Sequence, residues 1–327
     1  MSQKTAVVIL NWNGEEFLKK FLPSVVNFTD KKLADIVVID NGSSDNSINL
    51  LQDQFSIVKT IKLDKNYGFT GGYNKGLALL KGYEYFLLLN SDVEVSEGYL
   101  EPLIEMLDSD KNIAAVQPKI LSYENKQNFE YAGAAGGLID MFGFPYCRGR
   151  ILSRVEKDLG QYNDACEVFW ASGAAVLVRS DLYLEFGGLD EDYFAHMEEI
   201  DLAWRLKNSG YKIMVEPKST IYHLGGGTLP NNSPKKLFLN FRNSLFTLYK
   251  NLPSHKLFII IYLRMCLDGC IAMVYLLQGK FSYFSAVLKA HFAFYGNLKV
   301  LRQKRKSIKI SKTPLGPIHK GFVGFIR

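Results

Sequence analysis

One stretch in the N-terminal half limits most strongly what this chain can fold into. The five apolar residues 85–89 (YFLLL) run directly into Asn90, Ser91 and Asp92. A continuous apolar run of this length is typical of a strand buried on both faces of a sheet. Polar residues that follow such a strand lie at its carboxyl end, where open α/β sheets bind ligands. We therefore expect Asp92 to lie in a ligand site.

Strand-like and helix-like patterns alternate through the first 118 residues. Short apolar runs are followed by polar turns and then by apolar residues at helical spacing, and the runs cover 5–10, 35–40, 57–63, 85–89 and 113–116. Parallel strands need crossover connections, which the helices supply, so the pattern predicts an α/β fold with a doubly wound, largely parallel sheet. Three of the strands end at Asn11, Asp40 and Asp92, and these side chains would line a single crevice if the strands are neighbours.

The second part of the chain is less regular at first. We interpret residues 119–165 as a variable loop region or an irregular hairpin. Further elements are predicted as a strand over 168–179, a helix over 198–209 and a strand over 211–216. The helix that follows the 85–89 strand is predicted to begin near Ser96, and His223 is expected in a Gly-rich loop just after a strand.

Charge divides the chain into two parts. Residues 231–327 hold 17 Lys and Arg against one acid, Asp268, whereas residues 1–230 hold 22 Lys and Arg against 32 Asp and Glu. A basic, apolar segment of this kind usually has anionic lipid or nucleic acid as its partner. We therefore predict a catalytic domain over 1–232, with halves of about 1–118 and 119–232, and a basic helical region over 233–327.

The longest apolar run lies in this C-terminal region. Residues 257–277 are interrupted only by Arg264 and Asp268 among strongly polar groups, and their length is enough to span a bilayer. Charges at a bilayer centre are costly, so we favour a helix in the membrane interface, or one packed in a hairpin with 281–298. A true span and a helical subdomain packed on the catalytic body are the alternatives. The polybasic segment 302–306 (RQKRK) would contact anionic headgroups.

The four cysteines show no metal-ligand pairing, and no apolar signal segment precedes the first strand-like run. We expect a reduced cytosolic compartment, and with the basic region, the cytoplasmic side of a bacterial membrane. Cys266 and Cys270 lie on one face of an apolar helix and are expected to be buried there as small apolar residues.

Several acidic residues and one histidine could carry chemistry. Asp92 and Asn90 form an N-x-D arrangement, which suits Mg²⁺ or Mn²⁺ bound to a diphosphate but could equally cap the next helix. His223 could supplement a carboxylate on Mn²⁺, although a lone histidine is more often structural. Glu198 and Glu199 begin a helix, where acids are stabilised in any protein, yet one of them could face a crevice and remove a proton from a hydroxyl.

Eight motifs in this order resemble the family 2 glycosyltransferases with a GT-A fold, in particular their bacterial rhamnosyltransferase-like branch. The motifs lie between about residues 5 and 250, and they are VVILNWNG from Val7, VIDNGSSD from Val38, NYGFTGGYN from Asn66, LLLNSDV from Leu87, SGAAVLVR from Ser172, FGGLD from Phe186, EEIDLAWR from Glu198, and His223. The resemblance implies a doubly wound mixed sheet and an inverting enzyme. A sugar would pass from a UDP- or dTDP-sugar to a hydroxyl of a lipid-linked or saccharide acceptor in one displacement.

The resemblance also implies roles for the reactive groups. Asp40 would contact the nucleotide base, and Asp92 matches the last acid of the family's D-x-D metal motif, whose first acid is replaced by Asn90. Glu199 occupies the position of the general base, with Glu198 as the alternative because Glu replaces the family's Asp. His223 matches a metal-associated histidine.

Further residues are implied at the borders of the two substrates. Those expected beside the nucleotide are Asn11, Asn66, Gly68, Gly71, Asn74, Asn90 and Ser91. Those expected on the acceptor and sugar side are Trp170, Ser172, Gly173 and Asp201. No nucleic acid is expected as a partner, and a homodimer is compatible with the sequence.

Three other functions fit parts of the pattern. A dehydrogenase would share the fold class, but the first turn lacks the G-x-G-x-x-G fingerprint. A sugar nucleotidyltransferase would need a basic, Gly-rich phosphate loop where this chain has Trp12 and Glu15. A non-catalytic membrane- or nucleic-acid-binding module would account for the basic tail alone.

Overall fold

The computed structural model describes residues 4–151, 154–225 and 233–311, together with the backbone of 318–319. The strands, in chain order, are β1 (Thr5–Asn11), β2 (Ala34–Asp40), β3 (Lys59–Lys62), β4 (Tyr85–Asn90), β5 (Val93–Val95), β6 (Ile113–Ser122), β7 (Gly137–Asp140), β8 (Pro145–Cys147), β9 (Arg150–Ile151), β10 (Arg154–Val155), β11 (Cys166–Val168), β12 (Ala175–Arg179), β13 (Lys212–His223) and β14 (Ile318–His319).

The helices, in chain order, are α1 (Glu15–Phe28), α2 (Ser47–Gln54), α3 (Gly68–Leu79), α4 (Glu101–Ser109), α5 (Ser180–Glu185), α6 (Glu198–Asn208), α7 (Pro234–Asn251), α8 (Ser254–Leu277), α9 (Phe281–Gly296) and α10 (Leu298–Ser307). A short 3₁₀ helix, Glu191–Tyr193, precedes α6.

The larger sheet has nine strands in the order β11-β13-β6-β12-β4-β1-β2-β3, with β5 paired to β13. Strands β3, β2, β1 and β4 are parallel, and β13 is parallel to β6. Strand β12 lies antiparallel between β4 and β6. The α/β fold with a mixed sheet is therefore confirmed.

Alternate residues of the central strands face two separate hydrophobic clusters. Val7 and Ile9 of β1 pack with α1, α2 and α4, whereas Ala6 and Val8 pack with α3, α5 and α6 on the opposite face. Burial on both faces explains why strands β1, β2 and β4 appear in the sequence as continuous apolar runs. Helices on both faces are what a doubly wound sheet requires.

Several predicted bounds were wrong. Strand β6 continues through Pro118 to Ser122 because its partner β13 shifts register between Glu216 and Thr220, and proline is tolerated in a sheet at such an irregularity. The strand predicted over 211–216 is in fact the twelve-residue β13. The segment 168–179, predicted as one strand, belongs to two. Strand β11 pairs with β13, and β12 pairs with β4 and β6.

The helix expected near Ser96 begins later, at Glu101. Ser96 instead donates its hydroxyl to Thr220 O at 2.6 Å, after the short strand β5. Gly98 then turns the chain with a φ of 69°, and Pro102 occupies the first turn of α4, where a missing N–H costs nothing.

The irregular 119–165 region forms hairpins, as one of the two interpretations expected. Strands β7 to β10 make a small antiparallel sheet, to which β14 adds in parallel. A bridge between Gly137 and Trp170 joins this small sheet to the larger one.

Helices α7 to α10 pack on one another and, through α7, on α6. Leu245 and Phe246 of α7, Ile260 of α8 and Phe294 of α9 belong to the same hydrophobic cluster as α6. Within the described residues, α8 is the one helix long and apolar enough to cross a membrane. The two charges in its middle are buried, however: Arg264 Nε donates to Asp268 Oδ1 at 2.8 Å, and the guanidinium lies over the ring of Phe144, 3.6 Å from its centroid. Cys266 and Cys270 of the same helix are exposed, so the expectation that they are buried was wrong.

Candidate active site

The carboxyl ends of β2, β1 and β4 meet at one edge of the sheet. Asn11 is the register partner of Asp40, and Leu10 is the partner of Asn90, two residues before Asp92. The three strands are therefore neighbours, as the predicted crevice requires, and Asn11, Asp40 and Asp92 lie at one edge of the sheet.

Asp40 is held in a fixed orientation. Its Oδ1 accepts from Asn11 Nδ2 at 3.1 Å, and its Oδ2 accepts from the Ser43 backbone N–H at 3.1 Å. Both Asp40 and Asn11 are buried, whereas the neighbouring Trp12 exposes 54% of its surface. An exposed aromatic residue thus follows the end of β1, and a fixed carboxylate stands at the end of the neighbouring strand β2. The sequence had suggested Trp12 only as an argument against a phosphate loop.

Asn66 and Gly68 form a turn against the end of β2. Asn41 Nδ2 donates to Asn66 Oδ1 at 3.1 Å and to Gly68 O at 2.9 Å, and Asn41 Oδ1 accepts from Tyr67 N–H. Gly68 has a φ of 74°, which a residue with a side chain rarely adopts. Asn41, which sequence reasoning did not single out, therefore fixes this turn beside Asp40.

Asn74 and Gly71 face the chain that precedes α6. Asn74 Nδ2 donates to Leu189 O at 2.7 Å, and its Oδ1 accepts from Tyr183 Oη at 2.8 Å and from Leu189 N–H. A side chain at Gly71 would approach Tyr67 and Glu191. The amide of Asn74 is thus bound by protein groups, and its place beside the nucleotide stays a prediction.

Asp92 and His223 form a close pair. His223 Nε2 lies 3.1 Å from Asp92 Oδ1, and both side chains are almost fully buried. His223 is the last residue of β13, paired with Val93 of β5, so the expectation that it lies in a loop was wrong. Strand pairing rather than a mobile loop therefore sets the distance between these two groups.

Glu130 completes a row with this pair. Its Oε1 lies 3.5 Å from His223 Nδ1, and the carboxyl is buried. Burial lowers the pKa of His223, but Asp92 and Glu130 on its two sides outweigh that effect and raise the pKa to about 10. Burial likewise opposes ionisation of Asp92, yet the bond from His223 holds its pKa below the usual value. No motif in the sequence pointed to Glu130.

The Asp92–His223 pair fits a divalent cation. Two neighbouring ligands of an octahedral Mg²⁺ at about 2.1 Å are roughly 3 Å apart, close to the separation of this oxygen and nitrogen. Among the residues that the structure describes, no group of three His, Cys, Asp or Glu side chains is arranged to hold a metal. Diphosphate oxygens and water would have to supply the remaining ligands.

The two acids that begin α6 follow a strained segment. Phe194, His196 and Met197 have φ values of 66°, 69° and 75°, and each such residue costs about 1–3 kcal/mol. Strain of this kind persists only where surrounding contacts impose it, which is common at active sites. The next two residues along the chain are Glu198 and Glu199.

Glu199 is one of the residues that line an apolar cavity. It lines a cavity of about 30 Å³ between α6 and the sheet, together with Phe69, Gly173 and Leu189. Burial raises the pKa of Glu199 to about 7, and burial with the nearby Glu199 charge raises the pKa of Glu198 well above its usual value. Among the residues that the structure describes, Oε2 of each acid is buried without a hydrogen-bond partner. A carboxyl in this state can accept a proton near neutral pH.

The residues expected on the acceptor side lie in different surroundings. Gly173 lines the cavity with Glu199. Trp170 Nε1 donates to Leu138 O at 2.9 Å, and Ser172 donates its hydroxyl to Ala132 O, so both side chains bind the segment leading into the small sheet. Asn90 and Ser91 are half-buried next to Asp92.

Asp201 corrects a further expectation. It has no exposed surface, and its carboxylate accepts from Arg205 Nε at 2.9 Å, Lys250 Nζ at 2.8 Å and Asn251 Nδ2 at 2.8 Å. These cations hold its pKa far below the usual value in spite of burial. Asp201 therefore joins α6 to α7 and does not face an acceptor.

Curated relatives of this chain are glycosyltransferases. It is 23% identical over 240 residues to an N-acetylglucosaminyl-diphospho-decaprenol L-rhamnosyltransferase of Mycobacterium tuberculosis, an alignment that covers 68% of this chain and 76% of the relative. It is 25% identical over 223 residues to the rhamnosyltransferase WbbL of Escherichia coli, covering 66% and 82%.

Solved structures share the fold. The crystal structure of GalNAc-T7 with UDP, GalNAc and Mn²⁺ matches with a TM-score of 0.60 at 18% identity, over 78% of this chain and about half (49%) of that one. The mannosyltransferase PcManGT from Pyrobaculum calidifontis, in complex with GDP-Man and Mn²⁺, matches with a TM-score of 0.55 at 11% identity, over 90% and 88%. These neighbours establish the GT-A architecture.

The family model described as glycosyl transferase family 2 matches residues 6–184, more than half of the chain and including Asp40 and Asp92. Together with the curated relatives, this match shows that the chain belongs to glycosyl transferase family 2 and is a transferase.

Proposed function

We propose that this enzyme transfers rhamnose or another hexose, with inversion, from a UDP- or dTDP-sugar to a hydroxyl of a lipid-linked or saccharide acceptor in cell-surface polysaccharide synthesis. The observation that carries the proposal is the contrast between two carboxyls. Asp92 is paired and has a lowered pKa, whereas Glu199 is unpaired and has a pKa of about 7. When their environments give two carboxyls such different pKa values, one is suited to remain ionised and the other to transfer a proton.

The donor nucleotide fits the ends of β1 and β2. Asp40 keeps a fixed carboxylate there, and a uracil or thymine ring offers an imide N–H that a carboxylate can accept. Trp12, which follows the end of β1, exposes an aromatic surface suited to stacking on a base. The mycobacterial and E. coli relatives are both rhamnosyltransferases, which supports rhamnose as the first sugar to test.

Asp92 and His223 are the groups that would hold Mg²⁺ or Mn²⁺. A bound divalent cation supplies positive charge that stabilises the departing nucleotide diphosphate. The protein's own contribution is to keep the two ligand atoms 3.1 Å apart, with Glu130 on the far side of the imidazole. A carboxylate in that position orients a histidine ligand and fixes which ring nitrogen carries the proton.

Glu199 would act as the general base. The acceptor hydroxyl gives its proton to a Glu199 carboxylate oxygen while its own oxygen bonds to the anomeric carbon. The bond from that carbon to the diphosphate oxygen breaks in the same step, and the electron pair leaves with the nucleotide. No covalent intermediate on the protein is needed, and the configuration at the anomeric carbon inverts.

The exposed apolar surface of α8 and α9 supports membrane association. Its most exposed large side chains are Phe258, Leu277, Phe281 and Phe292. Arg264 and Asp268 face the protein, where Arg264 also reaches the carbonyl oxygens of Phe142 and Gly143, so a helix that crossed the bilayer would give up these contacts. We therefore infer a peripheral or monotopic position on the cytoplasmic leaflet.

The polybasic segment contributes less than the sequence suggested. Lys304 donates to Asp190, and Arg305 donates to Tyr249 O, so these two cations are bound within the protein. Arg302 and Lys306 are exposed and remain for anionic headgroups.

A donor panel tests the proposed reaction. Purified enzyme with Mn²⁺ is titrated with UDP- and dTDP-rhamnose, glucose, galactose and N-acetylglucosamine, and the melting temperature is followed, because a ligand of the native state stabilises it. We expect one nucleotide series to stabilise the protein in the presence of Mn²⁺ and not with EDTA. The preferred donor should then label a lipid-linked acceptor. Stabilisation that is equal for all nucleotides and insensitive to EDTA would refute the donor and metal assignments.

A further inference from the structure

The strained segment before α6 is held by one side chain of a neighbouring helix. Asn243 of α7 has no exposed surface. Its Nδ2 donates to three successive parts of the segment, the carbonyl oxygens of Tyr193 at 3.0 Å, Ala195 at 2.8 Å and His196 at 2.8 Å. A single amide thus contacts the backbone across the left-handed residues.

Arg242 fixes this amide from the other side. Its Nε donates to Asn243 Oδ1 at 2.9 Å, which orients the amide with its N–H groups toward the segment. Its Nη2 donates to Asp192 O and Tyr193 O, both at 3.0 Å. Two adjacent residues of α7 thus bind the carbonyl oxygens of residues 192, 193, 195 and 196.

Three polar atoms in and just after this segment have no hydrogen-bond partner within the part of the chain that the structure describes. They are His196 Nε2, Glu198 Oε2 and Glu199 Oε2, and all three are buried. Buried polar atoms are normally satisfied, so three exceptions within four residues mark a place where a ligand completes the bonding. The backbone here is held by several hydrogen bonds from α7, while polar side-chain atoms remain without partners among the described residues. A rigid backbone with unbonded polar side chains is suited to binding a ligand.

We propose that Asn243 is a positioning residue for Glu199. It holds segment 194–197, three of whose residues have positive φ values, so that the Glu199 carboxyl faces the cavity at the angle needed to take the acceptor proton. This inference rests on the proposed role of Glu199 as general base. Asn243 itself touches no substrate.

The residue type follows from the geometry. Only a side chain with two N–H groups and an acceptor can bind several carbonyl oxygens and also receive the Arg242 Nε–H. Aspartate would present oxygens to the carbonyl oxygens, and alanine would leave them without donors. The segment could then relax out of its unfavourable φ values, and Glu199 would move with it.

The test compares Asn243→Ala with Asn240→Ala, the same change on the same helix at a half-buried position for which the structure gives no bond to the segment. Turnover with saturating donor and acceptor, donor affinity by calorimetry with Mn²⁺, and the pH dependence of turnover are measured. A misplacement of about 1 Å can cost roughly 100-fold in rate, so we expect turnover of Asn243→Ala to fall by about that factor while donor affinity changes less than about threefold. Asn240→Ala should match the wild type.

The pH profile separates positioning from general damage. Once Glu199 is released from its buried setting, the midpoint of the acid limb should fall from about 7 toward the value of a solvated carboxyl. Loss of donor affinity in step with turnover, or an unchanged midpoint, would overturn the inference. If Asn243→Ala does not fold, Asn243→Ser, which keeps one donor, is measured in the same way and should show a smaller loss with the same shift.

The outcomes distinguish this inference from the proposed function. A wild-type enzyme that binds no sugar nucleotide would refute the function itself. A wild-type enzyme that transfers sugar, with Asn243→Ala retaining full turnover, would refute only the positioning role.

Discussion

His223 Nε2 lies 3.1 Å from Asp92 Oδ1 although the two residues are 131 positions apart in the chain. The contact exists because β5, which follows Asp92 directly, pairs antiparallel with the end of β13. Asp92 therefore reaches the site at the end of a parallel strand, while His223 reaches it from a strand on the other side of β12. The sheet itself brings the two groups together.

We expect Asp92→Asn to abolish cation-dependent donor binding. The amide keeps the shape but loses the charge that both a divalent cation and His223 require, so Mn²⁺ affinity in the presence of UDP or dTDP should fall by about 100-fold or more. Calorimetric titration of Mn²⁺ measures it. Glu94→Gln removes a nearby carboxylate that pairs with Lys126 and serves as the control. Equal Mn²⁺ affinity in Asp92→Asn and wild type would exclude Asp92 as a ligand.

Turnover should depend on the ionisation of Glu199. A general base works only when deprotonated, and burial places its pKa at about 7. The rate should therefore rise about tenfold per pH unit below pH 7 and level off above it. Glu199→Gln should lose about 100- to 10,000-fold in turnover, and Glu198→Gln less. If Glu198→Gln shows the larger loss and removes the acid limb, the two assignments must be exchanged.

The same burial predicts an opposite effect on stability. A carboxyl whose pKa is higher in the folded state than in the unfolded chain favours folding less as the pH rises from about 4.5 to about 7. Glu199→Gln should thus raise the melting temperature at pH 8, and the gain should vanish near pH 4, where the acid is protonated in both states. Thermal unfolding at the two pH values measures this. If Glu199→Gln is less stable than the wild type at pH 8, the Glu199 carboxylate must be stabilised by other groups in the folded protein.

Asp201 should matter for folding rather than for chemistry. Removing one partner of a buried ion pair leaves the other charges uncompensated, and we expect Asp201→Asn to lower the free energy of unfolding by about 3–5 kcal/mol. Its folded-state pKa is depressed, so this stabilisation is present at neutral pH and is lost as the solution is acidified below about pH 4. Urea unfolding measures the change, and Asp110→Asn, an exposed pair with Lys212, is the control. A fully stable Asp201→Asn variant with impaired acceptor binding would restore the acceptor-side role.

The sequence predicted the parts of the site that depend on parallel strand ends. Asn11, Asp40 and Asp92 each close an apolar run, and the sheet edge follows from that pattern. It could not predict the contacts made by Asn74 or Asp201, because their polar side chains turn toward protein partners more than 40 residues away. Glu130 was not predicted for the same reason. It contacts the distant His223 and lies in a region of the sequence without helical or strand periodicity. The full length of β13 could not be predicted, because the strand shifts register opposite Pro118.

Membrane binding should depend on the exposed aromatic side chains of α8 and α9. Phe258 and Phe292 expose 82% and 74% of their surfaces, and burying a phenylalanine side chain is worth about 1.5–3 kcal/mol, so each change to serine should weaken binding to vesicles about tenfold or more. Sedimentation with vesicles of mixed neutral and anionic lipid measures it. Leu79→Ser removes another exposed apolar residue, 62% exposed, from α3 and should have no effect. Point substitutions are preferable to truncation, because α8 to α10 share a hydrophobic cluster with α6 and α7, and Lys304 reaches Asp190. Sedimentation of both phenylalanine variants with wild-type affinity would mean that another surface contacts the membrane, or that none does.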